Sequence, residues 1–153
     1  LLLIGTKAIP ATTESFHAKE SLKLIEDGGI YSSFGGRFKE EFLSDEGLIE
    51  GPNEAHSLHE YKLKKDSKSG PIIREFGGEE RIQSTMRGMH YLMRENILSK
   101  DKWYVSYIEN MFGMLCVVCV HGYDDGWDVS ERSIDDSLRW HDGVVFSRNS
   151  LSL

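Results

Sequence analysis

The chain has 153 residues, 39% of them hydrophobic and 28% charged, and a formal net charge of −7. That length suits a single globular domain with a core of its own, and that hydrophobic content excludes wholesale disorder. The acidic balance, with no Lys/Arg cluster to displace counterions from phosphate, excludes a general nucleic-acid binder acting through a basic patch.

In chain order, Leu1–Ile4 reads as a short strand. The chain opens on Leu rather than Met, which reads as a fragment or a processed product. Thr12 or Thr13 offers a cap for a helix running to about Asp27, closed by Gly28-Gly29. Ile30–Phe34 has strand composition, Phe38–Leu43 suits one or two helical turns, and Ser44–Glu54 reads as loop. Leu58–Leu63 alternates as a strand does, and Ile72–Phe76 is a second candidate strand. The polar stretch Lys64–Gly70 between them suits a hairpin connection.

Glu79–Leu98 carries Ile82, Met86, Met89, Leu92 or Met93, and Ile97 at spacings of three and four, which predicts one long helix. Gly88 in its middle marks a place where a neighbouring element packs close. Trp103–Phe112 reads as helix on the stripe Tyr104, Ile108, Phe112, while the wholly apolar Met114–Val120 fits helix and strand equally. Gly122–Gly126 reads as loop, Ser130 as the cap of a helix to Trp140, and Val144–Phe146 as a last strand. The expected fold is α+β, with three to four helices packed on a small, mostly antiparallel sheet.

Polar chemistry concentrates in two places. His121, Asp124, Asp125, His141 and Asp142 fall on or beside loops near the C-terminus. Imidazole with carboxylate suits a divalent transition metal or general acid–base work. This makes His121, Asp124, Asp125 and His141 the catalytic candidates, and His121, Asp125, His141 and Asp142 the metal candidates, of a metal-assisted hydrolase. Against it, Asp and Gly are ordinary turn residues. His56 and His59, three apart with Glu60 following, miss the zinc-protease spacing and read as a polar edge strand. His90, at the border of the best helical stripe, reads as a structural histidine.

Cys116 and Cys119 sit in an apolar run without a second ligand pair, so they read as reduced core thiols and suit a cytoplasmic or nuclear compartment. Trp103–Val120 is interrupted by Ser106, Glu109 and Asn110 and is no membrane span. Phosphate-loop and serine-nucleophile motifs are absent, and no cofactor is expected.

The remaining signal is aromatic. Trp103, Tyr107, Tyr123, Trp127 and Trp140 are candidate binding anchors, and an acidic surface would steer towards a basic protein partner. The leading expectation is therefore a protein-interaction or adaptor module, with homo-oligomerisation within its reach. The alternatives are the hydrolase above and an assembly protein of the viral structural or accessory kind.

Overall fold

A computed structural model describes residues 1–138, 142–149 and 151. A seven-stranded mixed sheet dominates it. Its strands are β1 (Leu2–Ile9), β3 (Tyr31–Gly35), β5 (His56–Lys62), β7 (Tyr104–Glu109), β8 (Leu115–Tyr123), β9 (Gly126–Arg132) and β11 (Val144–Ser147), in the spatial order β1-β5-β11-β7-β8-β9-β3. The pairs β11–β7 and β3–β9 run parallel and the others antiparallel. Two small two-stranded pieces accompany it, β2 (Phe16–His17) with β4 (Ile49–Glu50) and β6 (Ser67–Lys68) with β10 (Ser137–Leu138).

This corrects the expectation of a small, mostly antiparallel sheet under three to four helices: strand makes up 39% and helix 22% of the chain. The helices are short, namely α1 (Ala18–Ser21), α2 (Ser69–Glu75), α3 (Glu79–Ile82) and α4 (Met86–Arg94), with a 3₁₀ turn at Ile25–Asp27 and a π turn at Lys39–Leu43.

The central strands are buried on both faces, and that explains their sequence. Tyr104 and Ile108, with Cys116, Val118 and Val120, join one core beneath α4. Val105 and Tyr107, with Val117 and Cys119, join a second core with Ile72, Phe76 and Ile82 on the opposite face. A strand covered on both sides reads as a continuous apolar run. The spacing of four seen from Tyr104 to Phe112 belongs to one helical face and equally to one strand face, since four is a multiple of the strand period. The expected helix at Trp103–Phe112 is therefore strand over Tyr104–Glu109. In place of the expected helix from Ser130 to Trp140, β9 continues to Arg132, a turn follows and Ser137–Leu138 form β10, residues 139 and 140 lying outside the described residues.

Other elements moved for local reasons. The expected long helix breaks at Gln83–Thr85, where Ser84 leaves the helical path and donates its amide to Tyr107 O (2.8 Å). Thr85 then caps a new helix by accepting from Gly88 N (3.0 Å). The Glu50 carboxylate accepts the Met86 and Arg87 amides (both 2.8 Å), two donors that a helix start leaves unsatisfied. A Cβ on Gly88 would lie 3.7 Å from Ile9, so β1 is the close neighbour foreseen there.

Ile72 and Ile73 face the second core from helix α2, not from a strand. The expected helix before Asp27 is reduced to α1 and the 3₁₀ turn, linked by Leu22–Leu24. His56 and His59 lie on β5, which β1 covers, so theirs is not an edge strand. Among the described residues no helix is long and apolar enough to cross a membrane.

Candidate functional site: an acidic cleft beside an apolar turn

The site begins with β8 and β9. In their antiparallel register Glu131 stands opposite Val118, which puts its side chain on the same face as Cys116 two residues along. Over that face lies the π turn Lys39–Leu43, which carries Glu41. One carboxylate oxygen of Glu41, one of Glu131 and the Cys116 sulfur all fall within 4.8 Å of one another. Among the described residues this is the one convergence of three such groups. Gly36 lets the chain pass close by: its φ is +60°, and a Cβ there would meet Glu131 O at 2.4 Å.

These groups floor a cleft of about 680 Å³. Glu41, Glu79, Glu131, Asp135 and Asp136 line it against Arg37 and Arg132, five carboxylates to two guanidiniums, so its walls carry −3 when all are ionised. Burial pushes the Glu131 carboxyl up to about 7, helped by its hydrogen bond with Glu41 and by the charge of Glu41, while Arg37 opposes the rise. Burial also pushes the Cys116 thiol far up, as do the Glu131 and Glu41 charges. That thiol donates to Ile108 O (3.3 Å). Glu41 Oε2 is sealed from solvent and receives no hydrogen bond from a protein donor. Two touching carboxyls with one oxygen left over either share a proton or take up a cation.

The chemistry available is thus cation binding and proton sharing near neutral pH. A carboxylate–thiol–carboxylate set is one that a zinc-like dication accepts, but the thiol here is held protonated. An incoming ammonium or guanidinium needs only the carboxylates.

The β7–β8 turn forms the rim. Asn110 Oδ1 accepts the amides of Phe112 (2.9 Å) and Met114 (3.0 Å), Asn110 N donates to Met114 O (2.8 Å), and Gly113 takes φ +77°. Met111 N donates to Glu41 O (3.0 Å), tying the turn to the π turn. This bonding holds Phe112 and Met114 outward at 63% and 66% exposure. Phe112 is therefore not on a buried stripe.

The residues singled out from sequence are dispersed. His121 Nδ1 is 3.5 Å from Asp128 Oδ2, and its ring stacks on Trp103 at 3.7 Å. Ser33 Oγ donates to Asp128 Oδ1, so the carboxylate stands between Ser and His. A hydrolytic triad needs the imidazole in the middle, so this order leaves Ser33 without a base. Asp124 and Asp125 form the two-residue turn of the β8–β9 hairpin, with Asp124 at φ +51°. Asp142 pairs with Lys62 (3.4 Å). His141 and Trp140 lie outside the described residues.

Of the aromatic candidates, Tyr107 and Trp127 are core residues at 0% and 2% exposure, Trp103 is half-buried, and Tyr123 is exposed. Reading by sequence missed Glu41, Glu131, Phe112 and Met114. An Asn-x-x-Gly turn between two apolar runs was the available signal for the rim. For the carboxyl pair there was none, because distant strands and turns bring it together.

No family model matches the chain, and no curated protein or solved structure matches it either. Fold and site together describe a mixed-sheet protein with an acidic cleft and a braced apolar rim.

Proposed function

We propose that the chain is a protein-interaction module that receives a basic, partly apolar segment of a partner, the acidic cleft taking a Lys or Arg and the rim taking its apolar neighbours. The observation that carries this reading is the Glu41–Glu131 pair, with a sealed carboxylate oxygen lacking a donor, directly below a turn that holds Phe112 and Met114 in solvent. A cation seated against the two carboxyls offsets their mutual repulsion. The braced backbone of the turn presents Phe112 and Met114 without a cost in backbone ordering, and aromatic and Met side chains are common interface anchors.

The test is fluorescence anisotropy with a labelled peptide of alternating Arg and Leu, and a Glu/Leu peptide as control. Saturable binding of the basic peptide should weaken at least about tenfold, a loss of about 1.4 kcal/mol, in Glu41→Gln and in the double variant Phe112→Ser/Met114→Ser. Equal affinity in all three proteins would mean general attraction to an acidic surface, and the proposal would fall.

Self-association is a second reading, supported by β1. This outermost strand exposes Leu2, Leu3 and Ile4 at 48%, 51% and 43% beside an open backbone edge. Such edges invite pairing with another strand. Sedimentation velocity over a concentration series should show a dimer that Leu3→Lys disperses; a monomer throughout would reject it.

A further inference from the structure

A second cavity, of about 180 Å³, has the opposite polarity to the cleft. It opens between the end of β1, the Phe16 region and α4. Arg87, His90 and Arg94 line it along one side of α4, Thr12 and Ser21 add hydroxyls, and no lining residue is acidic. In a chain of net charge −7 this is an isolated basic pocket.

The decisive group is His90, which is 8% exposed. Its Nδ1 meets the Tyr31 hydroxyl at 2.6 Å, and Tyr31 is wholly buried. A buried phenol keeps its proton, and burial indeed holds the Tyr31 hydroxyl well above its ordinary range. Among the described residues its one hydrogen-bond partner is His90 Nδ1, so Tyr31 donates and Nδ1 accepts. Burial first, and the Arg94 charge second, push the imidazole down to about 4, so it is neutral at pH 7. A neutral ring accepting at Nδ1 carries its hydrogen on Nε2. Tyr31 stays outside the pocket lining while His90 belongs to it, so the Nε2 edge is the one turned to the cavity.

The two arginines flank it in fixed positions. The Arg87 guanidinium lies 5.5 Å from the Phe16 ring centre and donates to Thr12 Oγ1, Gly51 O, Asn53 Oδ1 and Glu14 O, all oxygens of neutral groups. Arg94 lies 5.8 Å from the Tyr91 ring centre and touches Glu95 at 3.5 Å.

From an imidazole, two guanidiniums and two hydroxyls around one small cavity with no acidic lining, we infer that the pocket binds a small oxyanion, a carboxylate or phosphate group on a compact molecule. An apolar cavity of about 150 Å³ admits a benzene ring, so this one holds an oxyanion with little more than a ring or a short chain. The Ile9 and Phe16 walls suit that remainder. The site is separate from the acidic cleft and does not depend on the reading given for it.

Calorimetric titration of the whole chain at low ionic strength, with inorganic phosphate and separately with benzoate, tests the inference. Long-range ¹H–¹⁵N spectra of the histidine rings run in parallel. At least one probe should bind with a Kd of about 1 mM or tighter and shift the His90 Nε2 resonance. Arg94→Gln, at a half-exposed position that leaves the fold intact, should weaken binding at least about tenfold. His90→Phe should do the same while its melt shows it folded. Preference for benzoate would assign the ligand to carboxylates with an apolar part, and preference for phosphate to phosphorylated ones. No saturation by either probe up to about 20 mM, or equal binding to Arg94→Gln, would overturn the inference.

Discussion

Replacing Glu131 by Gln should make the protein more stable at pH 8 and leave it nearly unchanged at pH 5. In the folded chain this carboxyl is pushed up to about 7 from its ordinary 4.5, by burial first and by contact with Glu41 second. The native state therefore binds this proton more tightly than the unfolded state does. The associated stability is fully present below about pH 4.5 and is lost as pH rises through about 7. Taken whole, that interval is worth about 3 kcal/mol at about 1.4 kcal/mol per tenfold. The cleft is open to solvent, and screening reduces the expectation to about 1 kcal/mol. Gln keeps the size and removes the titration. Urea unfolding of both proteins at several pH values isolates the effect of the Glu41–Glu131 pair, because titrating groups remote from it cancel in the difference. The Gln variant should gain about 1 kcal/mol relative to the parent between pH 5 and 8. Parallel stability profiles across that range would refute the raised Glu131 pKa and the burial and carboxyl contact assigned as its causes.

Glu50→Ala should cost about 2–4 kcal/mol, because it strips both helix-start amides of α4 of their charged acceptor; loss of helical ellipticity and a lower urea midpoint would register it. Tyr31→Phe should cost about 1–2 kcal/mol and raise the His90 pKa little, since burial is its main cause; an NMR titration that moved His90 to an ordinary value would contradict this. Gly122→Ala should cost about 1–3 kcal/mol, because the new Cβ would lie 2.4 Å from Lys100 Cβ and 2.6 Å from its carbonyl oxygen, and a melt equal to that of the parent would show that the Lys100 segment yields. Both cysteines should resist Ellman's reagent in the native state and react after denaturation, since each is buried with a raised thiol pKa; rapid native labelling of either would disprove the packing.

Several elements were legible because local signals and tertiary context agree. Tyr31–Gly35, His56–Lys62 and Val144–Ser147 fall where composition and alternation put strands, and the turn at Lys39–Leu43 falls where a short helix was expected. The spacing of the two cysteines was informative once the strand was known. Three apart in β8, they point to opposite faces, Cys116 into one core and Cys119 into the other, which separates them from both disulfide and shared-metal chemistry. The errors share a cause. The run from Tyr104 to Val120 lost its alternation because both faces of the central strands are covered, and its spacing of four fits helix and strand alike. The stripe from Ile82 to Met93 is helical in two pieces, because the path between them is set by Ser84 pairing with β7 and by Glu50 reaching α4 from a distant strand, while Ile97 falls beyond the end of α4 and is exposed.

The sequence by itself determined which residues are apolar enough to be buried, where glycines and asparagines turn the chain, and that the net charge is acidic, since these are properties of single residues and near neighbours. Only the tertiary structure decided that the acidic charge gathers where Glu41 meets Glu131, and that the α4 face carrying Arg87, His90 and Arg94 closes a cavity against Ile9, Thr12 and Phe16. Electrostatics and hydrogen bonding act over a few ångströms in space, and Glu41 with Glu131, like Tyr31 with His90, lie on elements widely separated along the chain.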